Sequence, residues 1–475
     1  MREDRWDIMG PSTPWARDGI APAGSGARLA AQPVIVVGGG LAGSEAAWQL
    51  ARRGVQVRLF EMRPSRPTPV HRSDRLAELV CSNSLKSTEL SNPHGLLKAE
   101  MACFGSLIVE CARASRVPAG AALAVDRDSF AERVTCAISS EKLIDLVREE
   151  VTEIPPDGVT ILAVGPLVSP TLADAISRFT GRDHLYFFDA IAPVVEADTI
   201  DGSSVFRASR YGKGTGEDYL NCPMTREEYE RFVDDLLAGE KAPVHEIDTT
   251  PFFEGCLPVE EMARRGRETL RFGPMKPVGL VDPRTAQRPH AVVQLRQDNL
   301  AAEHYSMVGF QTQLRWPEQK RILRTIPGLG AAEFVRLGQI HRNCFINAPL
   351  VLGPTLEARS RPGLFFAGQI SGVEGYSESA ATGILAGING ARAALGRERI
   401  VPPADTMLGA LCRYVSQAEP SGYQPTNAAF GLLPPAPATV RGKKENREAR
   451  SARALRSLGE WIESVGESSF AGIGS

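Results

Sequence analysis

Two cysteines have sequence neighbours that suit reactive thiols, and the first of them is Cys256. It follows Gly255 and precedes residues typical of a helix start, namely Pro258, Glu260 and Glu261. A thiol just before a helix N-terminus is favoured as the thiolate, the form that attacks an electrophilic carbon. The segment therefore predicts Cys256 as a nucleophile, with a small buried loop cysteine as the alternative interpretation.

The second cysteine is Cys81, which stands between the apolar pair Leu79-Val80 and the polar run Ser82-Asn83-Ser84. This pattern predicts a tight turn near the end of a sheet, with hydrogen-bond donors and the cation Lys86 close by. A structural role is the alternative here as well. Cys81 and Cys256 are 175 residues apart, so the sequence does not show whether their thiols meet.

A glycine-rich segment fits the Gly-x-Gly-x-x-Gly pattern of dinucleotide-binding proteins. A β-branched run at 33–37 precedes it, a helical pattern at 44–51 follows it, and the next predicted strand, 55–60, ends at an acidic residue. The first glycine permits a tight turn, the second admits a pyrophosphate, and the third allows close helix packing, while the acid accepts hydrogen bonds from a ribose. The candidate cofactor-binding residues are Gly38, Gly39, Gly40, Leu41, Ala42, Gly43 and Glu61. A glycine-rich turn without a ligand is the alternative.

The rest of the chain indicates which dinucleotide this site takes. No second Gly-x-Gly-x-x-Gly pattern occurs, and later strands at 159–164 and 364–369 extend the same sheet, the last of them reaching Gly368. A single Gly-x-Gly-x-x-Gly pattern, together with strands of one sheet both early and late in the chain, is typical of a flavoprotein that binds a single FAD. NAD(P) alone in this site is the competing assignment.

These elements predict an α/β fold with a discontinuous Rossmann-like FAD-binding domain and an α+β insertion domain. The predicted FAD-binding domain comprises 32–184 and 331–415, and the insertion domain comprises 185–330. Residues 1–31 are predicted to be a disordered extension, and 416–475 a C-terminal segment with a basic helix.

Composition excludes several classes of protein. Lys plus Arg number 54 and Asp plus Glu 56, and no run of eighteen apolar residues could cross a membrane. The eight cysteines are at least eight residues apart, which removes closely spaced zinc and disulfide motifs, so we predict no metal. Sparse cysteines also indicate a reduced, cytoplasmic protein.

Several longer motifs resemble one known family. Besides 38–43 and 79–85, they are Ser209–Gly214, Gly255–Pro258, Met275–Leu280, His341–Asn343 and Gly368–Tyr376. Together they resemble the folate- and FAD-dependent tRNA (uracil-5-)-methyltransferases, the smaller relatives of the glucose-inhibited division protein A family. The resemblance runs from about Pro33 to the C-terminal helix, more than nine-tenths of the chain.

The resemblance implies a reaction and its cofactors. It implies that 5,10-methylenetetrahydrofolate donates a methylene group to C5 of a T-loop uridine in tRNA, with electrons from NADPH or NADH passing through FAD. It assigns Cys256 to addition at C6 of uracil and Cys81 to removal of the C5 proton. Tyr376 resembles the family's flavin-facing aromatic residue, with a plain core tyrosine as the alternative.

The expected partners are tRNA and folate, without a membrane or a protein partner. Seven Lys/Arg between 441 and 456 against two Glu form a local excess of positive charge that suits phosphate contacts. Arg264, Arg265, Arg267 and Arg271, next to Cys256, are the second candidate, and solvated helix faces are the alternative for both. Two other functions stay open: the same chemistry on ribosomal RNA, and a non-catalytic flavin-bound RNA-binding protein.

Overall fold

The computed structural model describes residues 32–183, 185–242, 252–436, 440 and 442–467. The predicted extension at 1–31 and Arg441 of the basic segment lie outside the described residues. Among the helices described, none is both long enough and apolar enough to span a lipid bilayer.

The described residues form sixteen strands, labelled β1 to β16 in chain order. They are Val34–Val37, Val57–Phe60, Ser84–Ser87, Arg116–Val117, Ala122–Val125, Ile144–Val147, Thr160–Leu162, Leu185–Ala190, Val194–Glu196, Phe206–Arg207, Tyr219–Met224, Ala291–Gln297, His304–Met307, Phe334–Arg336, Ile340–Phe345 and Leu364–Phe366.

Thirteen α-helices, α1 to α13, accompany them within the same residues. They are Leu41–Ala51, Pro93–Cys103, Leu107–Ala114, Arg127–Ser140, Pro170–Thr180, Arg226–Ala238, Val259–Arg264, Thr269–Phe272, Trp316–Leu323, Ala348–Val351, Tyr376–Ala394, Met407–Gln417 and Lys443–Ser464.

A five-stranded parallel sheet carries the glycine-rich segment. Its order is β16-β7-β1-β2-β6, and β1 lies at its centre, where an uninterrupted β-branched run is buried on both faces. Val37 pairs with Phe60 and Leu162, and Leu162 pairs with Phe366, so these four strands end at one edge. The predicted Rossmann-like α/β fold is confirmed, and the sheet brings 38–43, 61 and 368 to the same edge.

A second, six-stranded antiparallel sheet is formed by residues that come between β7 and β16 in the sequence. Its order is β10-β11-β12-β13-β9-β14, and its apolar core, drawn from residues 195 to 332, is separate from the core around the parallel sheet. The pair β8 and β15 joins the two parts of the molecule, with Asp189 opposite His341 in the ladder. We propose that the division into two domains follows these two cores.

Helices α1 and α11 pack closely because small residues face each other. A side chain at Gly383 would place its Cβ 2.3 Å from the carbonyl oxygen of Ala42, and one at Gly387 would approach Ala46 to 2.7 Å. This contact locks α1, which follows the glycine-rich turn, against the helix that begins at Tyr376. Both helices therefore hold their N-termini at the same sheet edge.

A buried carboxyl group links α2 to the start of α12. The two carboxylate oxygens of Glu100 accept hydrogen bonds from the backbone N–H groups of Met407 and Leu408, at 2.7 and 2.8 Å. Burial raises the pKa of Glu100 to about 8, and the two N–H donors oppose this shift only in part. The folded protein therefore binds more protons than the unfolded chain between the ordinary glutamate pKa, near 4.5, and about 8.

We expect Glu100 to make stability fall as pH rises. Its contribution is fully present below pH 4.5 and is lost as the pH rises through about 8, because the folded state must then give up a proton. Urea unfolding of the wild type and of Glu100→Gln at several pH values would isolate this contribution. The wild type should lose at least about 1 kcal/mol relative to the variant between the acidic and alkaline ends of the range. A difference that stays constant with pH would contradict the assignment.

Candidate active site

A cleft of about 390 Å³ opens at the carboxyl edge of the parallel sheet. Ten of the eleven residues singled out from the sequence line it: Gly38, Gly39, Gly40, Leu41, Ala42, Glu61, Cys81, Cys256, Gly368 and Tyr376. Gly43 lies beneath the cleft, buried in α1. The fold thus brings together segments from four distant parts of the chain.

The glycine-rich turn has the geometry that a pyrophosphate requires. Gly38 has φ +104°, a conformation that favours glycine. A Cβ at Gly43 would lie 1.7 Å from the carbonyl oxygen of Gly38, so α1 can approach the end of β1 this closely only because position 43 has no side chain. Gly40 is the N-cap of α1, has no side-chain cap, and has no heavy atom within 4 Å of the position a Cβ would take. The first N–H groups of α1 therefore face open space, where an anion binds well.

Glu61 closes one end of this turn. One carboxylate oxygen accepts the Gly39 N–H at 3.0 Å, and the other accepts the backbone N–H and the Nε of Arg63 at 3.0 and 2.8 Å. Burial raises the pKa of Glu61, but the hydrogen bonds and the charge of Arg63 outweigh it, so the pKa is lowered overall. Glu61 is thus an anion fixed at the cleft wall, with lone pairs left for a ribose hydroxyl.

Tyr376 and Gly368 form the opposite wall. The phenol oxygen of Tyr376 accepts the backbone N–H groups of Cys81 and Ser82 at 2.8 and 3.1 Å. Gly368 has φ +79°, and its N–H donates to the hydroxyl of Thr382 in α11 at 2.8 Å. Tyr376 therefore lines the cleft and also holds the backbone of the Cys81 loop in place.

The thiols of Cys81 and Cys256 meet in this cleft. They are hydrogen-bonded to each other, and both are free and partly exposed. Cys81 lies on the loop before β3, and its thiol also donates to the carbonyl oxygen of Ala190 at 3.5 Å. Cys256 ends a 3₁₀ turn, Glu254–Cys256, and α7 follows at Val259 with Pro258 as its N-cap.

The surroundings of Cys256 favour the thiol over the thiolate. Its hydrogen bond with Cys81, then burial, then the negative charges of Asp189 and Glu374 raise its pKa well above the ordinary value. The expectation that a helix start favours the thiolate is therefore wrong. Helix α7 is short, with only six residues. By contrast, one carboxylate oxygen of Asp189, one of Glu374 and the sulfur of Cys256 all lie within 4.8 Å of one another.

Comparison with known proteins places the chain in a family. Residues 33–398 match the family model described as glucose inhibited division protein A. The chain belongs to the glucose inhibited division protein A family. The resemblance inferred from the motifs is thereby confirmed.

Close relatives within this family share one curated name, methylenetetrahydrofolate--tRNA-(uracil-5-)-methyltransferase TrmFO. The protein from Geobacter sulfurreducens is 58% identical over 91% of this chain and 99% of its own length. The protein from Desulforudis audaxviator is likewise 58% identical, over 91% of this chain and 99% of its own length. Among solved structures, Aquifex aeolicus GidA matches with a TM-score of 0.66 and 18% identity, covering 92% of this chain and 74% of that one, which shows a shared fold.

In this member of the glucose inhibited division protein A family, the cleft contains charged residues to which sequence reasoning gave no role. Asp189 and Glu374 lie beside Cys256, and Arg296 lines the cleft; Lys86, the cation that the sequence placed near Cys81, lines it as well. Burial, followed by the charge of Asp189, raises the pKa of Glu374 well above its ordinary value. Only Glu374 lay in a recognised motif; Asp189 and Arg296 stand in ordinary strand sequences, β8 and β12, and gave no local signal.

Alanine at two glycines of the turn should separate cofactor contact from packing. Gly40→Ala is expected to leave the unfolding temperature of the FAD-free protein unchanged but to weaken FAD binding, because the new Cβ would occupy the space open to a pyrophosphate. Gly43→Ala is expected to lower both the unfolding temperature and the FAD affinity, because its Cβ would lie 1.7 Å from the carbonyl oxygen of Gly38. FAD fluorescence titration and thermal unfolding measure the two effects, and unchanged FAD affinity in Gly40→Ala would contradict the cradle.

Proposed function

We propose that this chain methylates C5 of a T-loop uridine in tRNA, with the methylene group from 5,10-methylenetetrahydrofolate and electrons from NADPH or NADH through FAD. The observation that carries the proposal is the meeting of two free thiols in the cleft that also contains the dinucleotide turn. The shared name of relatives that are 58% identical over nine-tenths of the chain supports the acceptor and the donor.

The dinucleotide turn fits FAD, because Gly40 leaves open space at the start of α1 and Glu61 is a fixed anion eighteen residues beyond Gly43. Bound FAD would supply the electrons that reduce the transferred methylene to a methyl group. The backbone N–H groups at 41–43 would hold its pyrophosphate, Glu61 a ribose, and Gly368 and Tyr376 would line the wall.

Cys256 is the nucleophile in this proposal. Uracil C5 is a poor nucleophile until a soft sulfur adds at C6 and its electron pair increases the electron density at C5. The sulfur of Cys256 faces the cleft and comes from a different segment than the other thiol, so a uracil ring inserted there could contact both. The addition releases the thiol proton of Cys256, forms a bond from sulfur to C6 and converts the C5–C6 double bond to a single bond.

Cys81 is the base in this proposal. Once C5 carries the new carbon, its proton must leave before the pyrimidine regains its double bond, and a positioned thiolate accepts it. Two backbone hydrogen bonds to Tyr376 fix the Cys81 loop, and the carbonyl oxygen of Ala190 contacts the thiol. These contacts support a residue held in one orientation for proton transfer.

The RNA-contacting surface that we propose contains fewer residues than the basic segments predicted from the sequence. Arg450 donates to the carbonyl oxygen of Phe430, and Arg453 to those of Pro434 and Pro435, so both brace the chain that precedes α13. The second candidate cluster is paired with acids, for example Arg265 with Glu254 at 2.7 Å. Lys443, Lys444 and Arg456 are exposed on α13, where Lys444 has one long ion pair, to Glu448 at 3.8 Å, and they are the phosphate contacts we propose.

The double variant Lys443→Gln/Lys444→Gln should therefore bind tRNA more weakly. Each lost phosphate contact should lower the slope of log affinity against log salt by about one. Filter binding at several salt concentrations measures both quantities. A matched double variant at exposed sites elsewhere, Lys142→Gln/Arg231→Gln, should keep the wild-type slope, and an unchanged slope in the first variant would contradict the assignment.

One experiment tests the reaction and its acceptor together. The FAD-loaded protein is incubated with NADPH, methylene-labelled 5,10-methylenetetrahydrofolate and total RNA, and the labelled nucleotide is mapped by digestion and mass spectrometry. Label at C5 of a T-loop uridine in tRNA is the expected result. Label in ribosomal RNA would overturn the acceptor, and no label would favour a non-catalytic flavin-bound RNA-binding protein.

We also propose a cytoplasmic protein that works without a protein partner or a metal. The eight cysteines all lie in described residues, and none of them forms a disulfide there, as expected in a reducing compartment.

A further inference from the structure

One exposed loop contains a motif that has no part in the FAD cradle or in the thiol chemistry. The tyrosine loop, residues 209–216, connects β10 to β11 and includes the whole Ser209–Gly214 motif. The side chain of Tyr211 is 66% exposed, and its backbone has φ +59°, in the left-handed region that a bulky residue rarely adopts. The loop therefore holds a large aromatic ring in solvent at a conformational cost, which is typical of functional sites.

The base of the tyrosine loop is fixed to the turn between β4 and β5. One carboxylate oxygen of Asp218 accepts the backbone N–H of Gly120 at 2.6 Å, and the hydroxyl of Tyr219 donates to the carbonyl oxygen of Ala119 at 2.9 Å. Tyr211 thus projects from an anchored support. Because the support is already ordered, a ligand that binds the ring need not order the loop.

The ring of Tyr211 lies against a second motif without a role in the reaction, Met275–Leu280. The backbone N–H of Tyr211 donates to the carbonyl oxygen of Gly279 at 3.1 Å. A Cβ at Gly279 would lie 2.9 Å from two carbons of the tyrosine ring, so the ring can take this position only because residue 279 has no side chain. The two motifs together hold the ring in place and leave most of it exposed.

Two cations without acidic partners accompany the ring. Arg210 donates to the side-chain oxygen of Gln294 at 2.8 Å and to the carbonyl oxygen of Val278 at 3.1 Å. Lys276 belongs to the turn on which the ring lies. Within the described ranges, no carboxylate forms an ion pair with Arg210 or Lys276. An exposed aromatic ring beside uncompensated positive charge is the combination that binds single-stranded nucleic acid, because the base stacks and the phosphate meets the cation.

A polar strip of the antiparallel sheet leads from this loop to the cleft. The side chain of Gln294, which Arg210 contacts, is on the same face of β12 as that of Arg296, because side chains two residues apart in a strand point the same way. Arg296 lines the cleft, and two residues of a strand span about 7 Å. The tyrosine loop is therefore close to the cleft that contains the two thiols.

The tyrosine loop and α13 also attach to one short segment. Lys213 donates to both carboxylate oxygens of Glu89, at 2.5 and 2.7 Å, and the hydroxyl of Ser451 in α13 donates to the carbonyl oxygen of Leu90 at 2.6 Å. The strand just before this segment, β3, lines the cleft. A single RNA could therefore extend from the cleft to the tyrosine loop and to the phosphate contacts that we propose on α13.

We propose that Tyr211 is a stacking platform for an unpaired base of the RNA whose target uridine enters the cleft, and that Arg210 and Lys276 attract the phosphates next to that base. The exposed ring supplies the stacking surface, and the anchored loop fixes its position. Stacking accepts any base, since every base has a π face, so this contact adds affinity rather than sequence recognition.

This inference rests on the proposed function and deepens it. A uridine that enters the cleft must leave the stack of its own loop, and the unstacking costs free energy. The bases that stay behind lose a stacking partner at the same time. A rigid aromatic ring near the cleft replaces that partner, and it thereby offsets part of the cost of extracting the uridine.

RNA binding by Tyr211→Asn tests the platform without folate or reductant. Asparagine removes the ring but tolerates the left-handed backbone, so the unfolding temperature should stay close to that of the wild type. The FAD-loaded proteins are titrated with a fluorescein-labelled, unmodified T-arm hairpin at several salt concentrations. Tyr211→Asn should bind about 5- to 100-fold more weakly, whereas Tyr211→Phe, which keeps the ring, should bind like the wild type. Because stacking releases no counterions, the slope of log affinity against log salt should not change in Tyr211→Asn, unlike in the lysine variant of α13.

Three controls make the result specific. Trp316→Asn removes another exposed aromatic ring, on α9, and should keep the wild-type affinity. A duplex of the T-arm stem alone has no unpaired loop bases, so wild type and Tyr211→Asn should bind it equally. Tyr211→Gly, which also suits a positive φ, replaces Tyr211→Asn if the latter unfolds at a lower temperature.

The outcomes separate this inference from the function on which it rests. Equal hairpin affinity in wild type and Tyr211→Asn, or an equal loss on the stem duplex, would overturn the stacking role. A lower molar mass of Tyr211→Asn in light scattering, with hairpin affinity unchanged, would assign the ring to a contact between copies of the chain and would also overturn it. If the wild type itself fails to bind the hairpin, the tRNA acceptor of the proposed function fails as well.

Discussion

Cys256→Ala is expected to abolish methylation while FAD stays bound. Without the sulfur that adds at C6, uracil C5 lacks the electron density to accept the methylene group, so the rate should fall by at least about 1,000-fold. FAD should remain because the cradle we propose for it, 38–43 with Glu61, belongs to other segments of the chain. Incorporation of label from methylenetetrahydrofolate into tRNA and the absorbance of the purified protein measure the two results.

A matched cysteine provides the control for this experiment. Cys136 is exposed on α4 and does not line the cleft, so Cys136→Ala should keep the wild-type rate. Methylation by Cys256→Ala at the wild-type rate would remove Cys256 from the chemistry. Loss of FAD in the same variant would instead point to a structural role of the 3₁₀ turn.

Cys81→Ala is expected to stop turnover at a later step. The nucleophile remains, so RNA should attach to Cys256, but nothing at position 81 then accepts the C5 proton, and the covalent adduct should accumulate. The methylation rate should fall by about 100- to 10,000-fold, the range that positioned acid–base groups contribute. Denaturing gels of the protein with labelled tRNA and cofactors measure the adduct.

The backbone contacts of this loop make the result interpretable. Tyr376 and Arg336 bind the main chain at 81, which alanine retains, so the loop should keep its position. The double variant Cys81→Ala/Cys256→Ala should form no adduct. Turnover at the wild-type rate in Cys81→Ala, or an adduct that survives in the double variant, would contradict the division of roles.

Short-range patterns in the sequence were sufficient for the dinucleotide turn and the fold class. A β-branched strand, a glycine-rich turn and a small-residue helix are all local features, and the parallel sheet with α1 appeared where they predicted, although α1 begins at Leu41 rather than at 44. The long motifs around Cys81, Cys256 and Tyr376 likewise indicated the family, because a long sequence match needs no knowledge of contacts.

The electrostatics of the two thiols depended on tertiary contacts. The neighbours of Cys256 along the chain suggest a helix start that favours the thiolate, yet Asp189 and Glu374, 67 residues before it and 118 after it, reverse that expectation. Arg127, Arg296 and Arg336, which donate hydrogen bonds to the Cys81 loop, likewise come from α4, β12 and β14. Charge interacts through space and burial strengthens it, so the chain order of these residues gives no sign of their effect. Folding therefore decides the electrostatic surroundings of each thiol, whereas the local sequence already predicted a catalytic role for both.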